Sequence, residues 1–276
     1  MQISTVAIIG GLGKTGGRVA KRLKDRSIHA RAASRSTAPS FDWQDRGTWH
    51  AALTGASAAY VAFQPDLAVA RAAEAISAFA KTAVDAGIGH IVLLSGRGED
   101  GAVRSENELK AVGVDYTVLR ASWFNQNFSE GAFLEQLRQG RLALPVGDVP
   151  EPFVDADDLA DVAVEALTNP RHRNQTYELT GPRALTFREA VSEIAAASGR
   201  AIEYETAPVD AFTAELTAAG LPQETIGILY ELFTKVLDGR NSNVMDGVQQ
   251  VLGRPPRDFP DYARETAATG IWSVQP

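Results

Sequence analysis

The sequence predicts an α/β fold: a doubly wound parallel sheet followed by a smaller, mixed and mostly helical C-terminal lobe. Three observations predict it. Through the first half, short apolar stretches alternate with amphipathic ones. A glycine cluster joins the first apolar stretch to the first amphipathic one. From Asp210 onward the strand-like stretches cease and the pattern turns mostly helical. Alternation of strand and helix implies parallel strands with helices on both faces, and ligands of such sheets sit outside the C-terminal strand ends.

In chain order, strands are expected over 5–9, 28–33, 58–63, 90–94 and 117–119, with helices over 13–24, 66–86 and 105–112. In the second helix Val69, Ala73, Ile76, Ala80 and Ala83 recur every three to four residues, which is one helical face. "PFVDADDLADVAVEAL" reads as a short strand, a capping aspartate (Asp155 or Asp157) and a helix. "QTYELTG" is another strand. "LTFREAVSEIAAASG" carries a capping box, Thr186 with Glu189, and closes at Gly199. "IEYETAPV" is a further strand. The expected division is a first domain over 1–150 and a smaller lobe over 151–276. No Pro/Gly-rich linker separates them, so one continuous body is expected, its lobes interleaved at the sheet and its helices able to cover a ligand.

Composition narrows the chemistry. The 276 residues include no cysteine and four histidines, His29, His50, His90 and His172, none paired at metal-ligand spacing. Disulfides and thiolate chemistry are excluded, and no metal site is expected. No apolar run is long enough to span a bilayer and no secretory signal is visible, so a cytoplasmic protein is expected. The net charge of −7 is uneven: residues 14–35 hold eight Lys/Arg and one acid, Asp25. That cluster reads as a solvated helix face, beginning where positive potential would gather an anion. Nucleic-acid and membrane binding are not expected, because the chain is acidic and carries no basic tail or basic amphipathic segment. Monomer and homodimer both remain open.

"VAIIGGLGKTGGRVAKRL" satisfies both G-x-x-G-x-x-G (Gly10, Gly13, Gly16) and G-x-G-x-x-G (Gly11, Gly13, Gly16). It follows an apolar strand and opens a helix, the context that this phosphate-binding turn requires. Glycine permits the tight turn, lets backbone approach a pyrophosphate, and lets the helix pack on the sheet, while free N–H groups at the helix start face the anion. The loop from Gly10 and Gly11 through Leu12, Gly13, Lys14 and Thr15 to Gly16 is therefore the candidate cradle of a Rossmann-type dinucleotide site. The second strand ends at Ser34-Arg35-Ser36 with no acid to hold a ribose diol. A guanidinium flanked by hydroxyls suits a 2′-phosphate, so NADP(H) is favoured over NAD(H), unless Arg35 is merely an exposed loop residue. Asp42, in "FDWQD" after what reads as a next strand, is placed to bond an adenine amino group.

At this point the chain resembles the NmrA-like branch of the atypical short-chain dehydrogenases/reductases. The resemblance rests on "GGLGKTGGRVAKRL", "ASRS", "VAFQPD", "HIVLLSG", "ENELKAVGVDYTVLRASWFNQNF", "FVDADDLADVAVEAL", "YELTGPRALTFREAVSEI" and "DGVQQVLGRPPRDFPDYARETAATGIW". It covers nearly the whole chain and points to the agroclavine-dehydrogenase type and its bacterial relatives, some of which tailor aromatic secondary metabolites. The resemblance implies that Phe63, Gln64 and Pro65, after the family's fourth strand, line the cofactor ribose. It implies that Ser95 and Gly96 close the fifth strand, where ordinary members carry a catalytic serine. It places Ala121, Ser122 and Trp123 after the sixth, where backbone holds the carboxamide, with Phe124 and Asn127 matching "LRxxxFxxN".

Ordinary members also carry Tyr-x-x-x-Lys on the helix after the fifth strand. Here that helix has Glu106 and Glu108, and the segment's tyrosine, Tyr116, lies near the next strand. Reduction of a ketone needs a proton donor for the developing alkoxide. Reduction of an iminium ion or a quinone needs mainly proximity and orientation. The expected reaction is therefore hydride transfer to a conjugated acceptor on an aromatic or polycyclic small molecule. Ser95 is a candidate to orient the acceptor or simply to cap its strand. Glu106 is a candidate beside a cationic substrate or simply a solvated helix acid. Trp123, Phe124, Phe153, Tyr230 and Phe233 are candidates for an aromatic wall. Two other classes stay open: a non-catalytic NAD(P) redox sensor with a protein partner, and a hydroquinone oxygenation or coupling enzyme.

Overall fold

The computed structural model describes residues 5–273. The chain runs β1 (Thr5–Ile9), α1 (Lys14–Asp25), β2 (His29–Ala33), α2 (Trp49–Leu53), β3 (Ala58–Val61) and α3 (Ala72–Asp85). It continues through β4 (His90–Gly96), α4 (Asp100–Val112), β5 (Asp115–Ala121), α5 (Leu134–Arg138), β6 (Arg141–Leu144) and α6 (Ala156–Thr168). The remainder is β7 (Gln175–Leu179), α7 (Phe187–Ser198), β8 (Glu203–Thr206), α8 (Val209–Ala218), α9 (Gln223–Glu231), α10 (Gly247–Leu252) and α11 (Phe259–Ala268).

Six parallel strands form one sheet in the order β2-β1-β3-β4-β5-β7. The order reverses at β1, which places the switch point between β1 and β3, beside the glycine loop. β1 and β3 are apolar because both faces are covered: Val6–Ile9 and Ala58–Val61 are buried throughout. α3 packs on α4, and α1 on α6.

The chain divides into two compact units, and the division differs from the expected break at 150. The first unit runs through Ala121 and adds Ala156–Leu179 and Gly247–Arg254. The second takes Ser122–Asp155, Thr180–Asp246 and the chain from Pro255. The physical reason is β7, which extends the parallel sheet beside β5 from Thr117↔Gln175 to Ala121↔Leu179. "QTYELTG" thus belongs to the sheet rather than to the smaller lobe. In the second unit β6 and β8 make a two-stranded parallel sheet, and an aromatic core forms around Phe128, Phe153, Phe187 and Phe259.

Several local expectations need correction. No strand forms between 34 and 57, so "FDWQD" sits in the loop after β2, closed by an Asp42↔Asp45 bridge. The strands before Phe63, at Ser95 and at Arg120 are consequently third, fourth and fifth along the chain. The strand expected before α6 is reduced to isolated bridges, Phe124↔Val154 and Glu151↔Leu185. The helix expected from 66 begins at Ala72, because the Asp66 carboxylate accepts from the Ala68 N–H at 2.7 Å and holds a turn there. The capping box at Thr186 and Glu189 forms, and α7 ends at a left-handed Gly199.

The basic cluster is a solvated face only in part: Lys21 and Lys24 are exposed, whereas three of its arginines are paired. Arg18, Arg22 and Arg26 recur at one-turn spacing on α1 and meet Asp157, Asp161 and Glu165, which recur likewise on α6. Burial pushes the Asp157 carboxyl up, but the Arg22 hydrogen bond and the charges of Arg18 and Arg22 outweigh it and hold the group below its ordinary range.

Candidate functional site

The loop between β1 and α1 shows what its glycines do. Gly10 turns the chain at φ +78°, a left-handed conformation that favours glycine. Its carbonyl accepts from the Gly13 N–H at 2.9 Å. A Cβ on Gly16 would overlap the Gly10 carbonyl oxygen, and one on Gly11 would lie 2.7 Å from Ala32. The G-x-x-G-x-x-G reading therefore captures the turn and the helix–strand contact, and Gly11 adds a close approach to β2. Gly13 is the N-cap of α1 with no side-chain cap, and no acid lies in the first turn. The first N–H groups of a helix have no partner inside it, so this terminus presents bare amides. Leu12 is 64% exposed at its rim, whereas Thr15 is buried and Lys14 half-buried.

The end of β2 carries no acid. Ser34 and Ser36 approach each other through their hydroxyls at 3.2 Å, and the Ser36 N–H donates to Ser34 Oγ at 3.3 Å. Arg35 is exposed, and no hydrogen bond or ion pair engages its guanidinium. Asp42 is half-buried; its carboxylate accepts from the Gln44 N–H at 2.9 Å and its carbonyl from Trp49 Nε1 at 2.7 Å. Beyond β3, Phe63 is buried against Trp43, with ring centroids 4.6 Å apart, while Gln64 and Pro65 are exposed.

The C-terminal ends of β4, β5 and β7 carry a charged ladder. Ser95, Arg120 and Glu178 stand side by side in register. Glu106, on α4, is fully buried and is not the solvated acid its helix suggested. It accepts from Ser95 Oγ at 2.7 Å and from Arg120 Nε and Nη2 at 2.9 and 2.7 Å. Lys110 Nζ lies 3.7 Å from its second oxygen. Glu178 receives Arg97 Nε at 2.9 Å and lies 3.5 Å from Arg120 Nη1. The hydrogen bond from Arg120 to Glu106, followed by the charges of both glutamates, raises the Arg120 pKa against the opposing effect of burial. A carboxylate can only accept, so the Ser95 proton is committed to Glu106. Gly96 lies against the Glu99 carboxylate.

This ladder was missed as a unit. Two signals could have found it. Glu106 and Lys110 reproduce the spacing of Tyr-x-x-x-Lys with the tyrosine replaced. Arg120 interrupts the apolar run of β5, and a charge in a buried strand requires a partner.

In the second unit, the segment after β5 is held by its backbone: the Trp123 N–H donates to Glu151 at 3.2 Å, and the Trp123 carbonyl accepts from the Val154 N–H at 2.9 Å. With both Trp123 main-chain groups paired, Ser122 Oγ and Asn125 Oδ1 are the buried polar atoms of this segment that have no hydrogen-bond partner among the described residues. Trp123 is half-buried and its ring lies 5.1 Å from Phe233 and 5.6 Å from Phe187. Phe124 and Asn127 are also half-buried. Phe153 and Phe233 are each 3% exposed and belong to the aromatic core, whereas Tyr230 is 45% exposed on α9. The expected wall is thus divided among core, rim and surface. Phe233 sits in a π-helical turn, Leu232–Val236, a form often found at functional sites.

A dinucleotide fits the residues present. Side chains at Gly10, Gly11 and Gly16 would fill the cradle's close approaches, and the helix start offers uncapped amides. Among the described residues no group of His, Cys, Asp and Glu could hold a metal ion, and no helix is long and apolar enough to cross a membrane.

Known proteins resemble this chain in sequence and in fold. The model of the NmrA-like family matches residues 2–254. An NAD(P)H azoreductase of Xenophilus azovorans is 30% identical over 95% of this chain and 98% of that protein. Agroclavine dehydrogenase of Claviceps fusiformis is 29% identical over 98% and 99%. The solved NADPH-dependent quinone oxidoreductase of Escherichia coli, complexed with NADPH, shares the fold at a TM-score of 0.79 with 21% identity, over 94% of this chain and 99% of that one.

Proposed function

Because the chain belongs to the NmrA-like family, we propose that it is an NADPH-dependent reductase that passes hydride to a conjugated acceptor, a quinone or an iminium ion, on an aromatic or polycyclic small molecule. The observation that carries the reading is the committed proton of Ser95. Where an alcohol-forming enzyme needs a donor, this chain presents a hydroxyl whose hydrogen points to a buried carboxylate, and that carboxylate is gripped by Arg120. Nothing in this ladder releases a proton to a ketone oxygen. Acceptors that spread or discharge the added electron pair need no such release.

NADPH bound here would supply the hydride, and the chain's own residues would supply position. Gly10, Gly11, Gly13 and Gly16 with the α1 amides would hold the diphosphate. Ser34, Arg35 and Ser36 would hold the 2′-phosphate, and Asp42, Phe63, Gln64 and Pro65 would flank the adenosine and ribose portions. Ser122 would answer the carboxamide, and Trp123 with Phe124 and Asn127 would face the substrate. The azoreductase and quinone oxidoreductase among the similar proteins also reduce conjugated acceptors by name. The agroclavine dehydrogenase supports a place in secondary-metabolite tailoring.

The test is NADPH oxidation with a quinone, a cyclic iminium compound and a ketone of matched shape. Turnover of the first two with none of the third is expected. Reduction of the ketone at a comparable rate overturns the reading, and tight NADPH binding without turnover of any acceptor would favour a redox sensor. Arg35→Ala should weaken NADPH binding about tenfold, the worth of one charge-assisted contact, and leave NADH unchanged. Equal effects on both cofactors would remove Arg35 from the 2′-phosphate site.

A further inference from the structure

Within the second unit, α8 and α9 enclose a groove of about 500 Å³, a size that holds a small organic ligand. Gly227 lies within α9, where glycine is a poor helix former. A Cβ built there meets nothing within 4 Å, so no neighbour in the chain uses the room that this glycine leaves. Ala214 lines the same groove from α8, and Ile226 supplies a buried apolar side chain.

The charged lining has one sign, and Gln223 adds a neutral amide beside it. Asp210 contributes a carboxylate with no ion pair or side-chain hydrogen bond, and the exposed phenol of Tyr230 is equally unengaged. Thr213 Oγ1 donates to the Val209 and Asp210 carbonyls, both at 3.1 Å, and Thr217 Oγ1 to the Thr213 carbonyl at 2.9 Å. Their protons are spent within α8, so toward the groove these hydroxyls can only accept. Among the described residues no lysine, arginine or histidine lines it. A carboxylate, two accepting hydroxyls and a tyrosine π face all favour positive charge.

We infer that the α8–α9 groove binds a planar aromatic cation, its ring lying over the bare Gly227 backbone and against Tyr230, its charge toward Asp210. The site does not depend on the reductase reading, and its test needs no turnover. Ethidium is titrated into the full chain by fluorescence, beside phenanthridine as the uncharged ring system at neutral pH. Ethidium should bind in the micromolar range and phenanthridine at least about tenfold more weakly. Asp210→Asn, Tyr230→Ala and Gly227→Leu should each weaken ethidium about tenfold. All three positions are exposed, and NADPH affinity, measured by calorimetry, should not move in any variant. Absence of ethidium binding, equal binding of the neutral ring, indifference to all three substitutions, or displacement of ethidium by NADPH would each overturn the assignment.

Discussion

The same three strands, β4, β5 and β7, end in opposite chemistries. At their C-terminal ends Ser95, Arg120 and Glu178 carry a ladder of charges closed by Glu106. At their N-terminal ends the buried side chains, His90, Thr117 and His172, are uncharged types at neutral pH, and the charges of Asp115 and Arg173 pair with each other nearer the surface, 3.0 Å apart. Thr117 Oγ1 donates to the His172 carbonyl at 2.7 Å and therefore accepts from His90 Nε2 at 2.9 Å. Arg171 Nε donates to His172 Nε2 at 2.9 Å, which leaves His172 Nδ1 to donate to the Tyr177 hydroxyl at 2.8 Å. His172, whose Nε2 accepts, is thus fixed in its uncharged form. Parallel sheets of this kind place their ligands at the C-terminal end. The contrast teaches that a fully buried carboxylate, Glu106, is retained there although charge is costly to bury, while at the opposite end the buried side chains are His and Thr and the charged partners lie nearer the surface.

The largest expected effect tests whether the ladder is a closed unit. Glu106→Ala leaves Arg120 facing Glu178 alone at 3.5 Å and Ser95 without its acceptor. Breaking a buried pair by removing one partner costs about 3–5 kcal/mol, read as a fall in the urea midpoint at constant m-value. Glu106→Gln, which keeps the shape and one acceptor, should lose less. Near-neutral behaviour of the alanine variant would show that the charges at this end act separately, and the contrast between the two strand ends would lose its basis.

How much of this was legible depends on sequence separation. The β1 turn could be read directly, because an apolar run, spaced glycines and a helix start lie within one continuous stretch, Val6–Leu23. The capping box of α7 was equally local. The ladder joins residues 95, 106, 120 and 178, and only the β4–β5–β7 register brings them together. Glu106 read as a solvated helix acid because nothing in its own helix marks it off from Glu108, which is exposed; the two lie about half a turn apart on α4, and the helix's orientation decides which is buried. The same limit misplaced β7, whose neighbour in the sheet is more than fifty residues earlier. Phe153 and Phe233 could not be told from ligand contacts, since a core aromatic and a pocket aromatic share one residue type. Arg18, Arg22 and Arg26 matched Asp157, Asp161 and Glu165 in spacing, yet the pairing requires knowing that α1 lies on α6.

The second effect belongs to the N-terminal ends of the strands. Burial pushes the His90 pKa down to about 4, helped by the Arg173 charge and by His172, against the opposing pull of Asp115. An unfolded histidine titrates near 6.5. Between those values the unfolded chain holds a proton that the folded chain refuses. Stability from this group is therefore complete above about pH 6.5 and is lost as pH falls toward 4, by about 3 kcal/mol in all. His90→Gln keeps a donor for Thr117 and removes the titration. The difference in unfolding free energy between wild type and variant should narrow across that window and be constant above it. A difference independent of pH from 7 to 4, values that bracket this titration, would mean that the imidazole is charged or free in the fold.

The smallest effect separates the two meanings of Ser95. Ser95→Ala removes one hydrogen bond to a carboxylate that keeps both Arg120 contacts and the nearby Lys110. The expected cost is about 1–2 kcal/mol, a drop of a few degrees in Tm. Because the Ser95 proton is committed to Glu106, quinone reduction should stay within about twofold of wild type, whereas removal of a true proton donor lowers rates by about 10²–10⁴. Stability and activity therefore part company in this one variant. A small loss of Tm with unchanged kcat makes the serine a strut of the charged ladder. A hundredfold loss of kcat at unchanged Tm would make it a donor, and the charged end of the sheet would then be acid–base machinery after all.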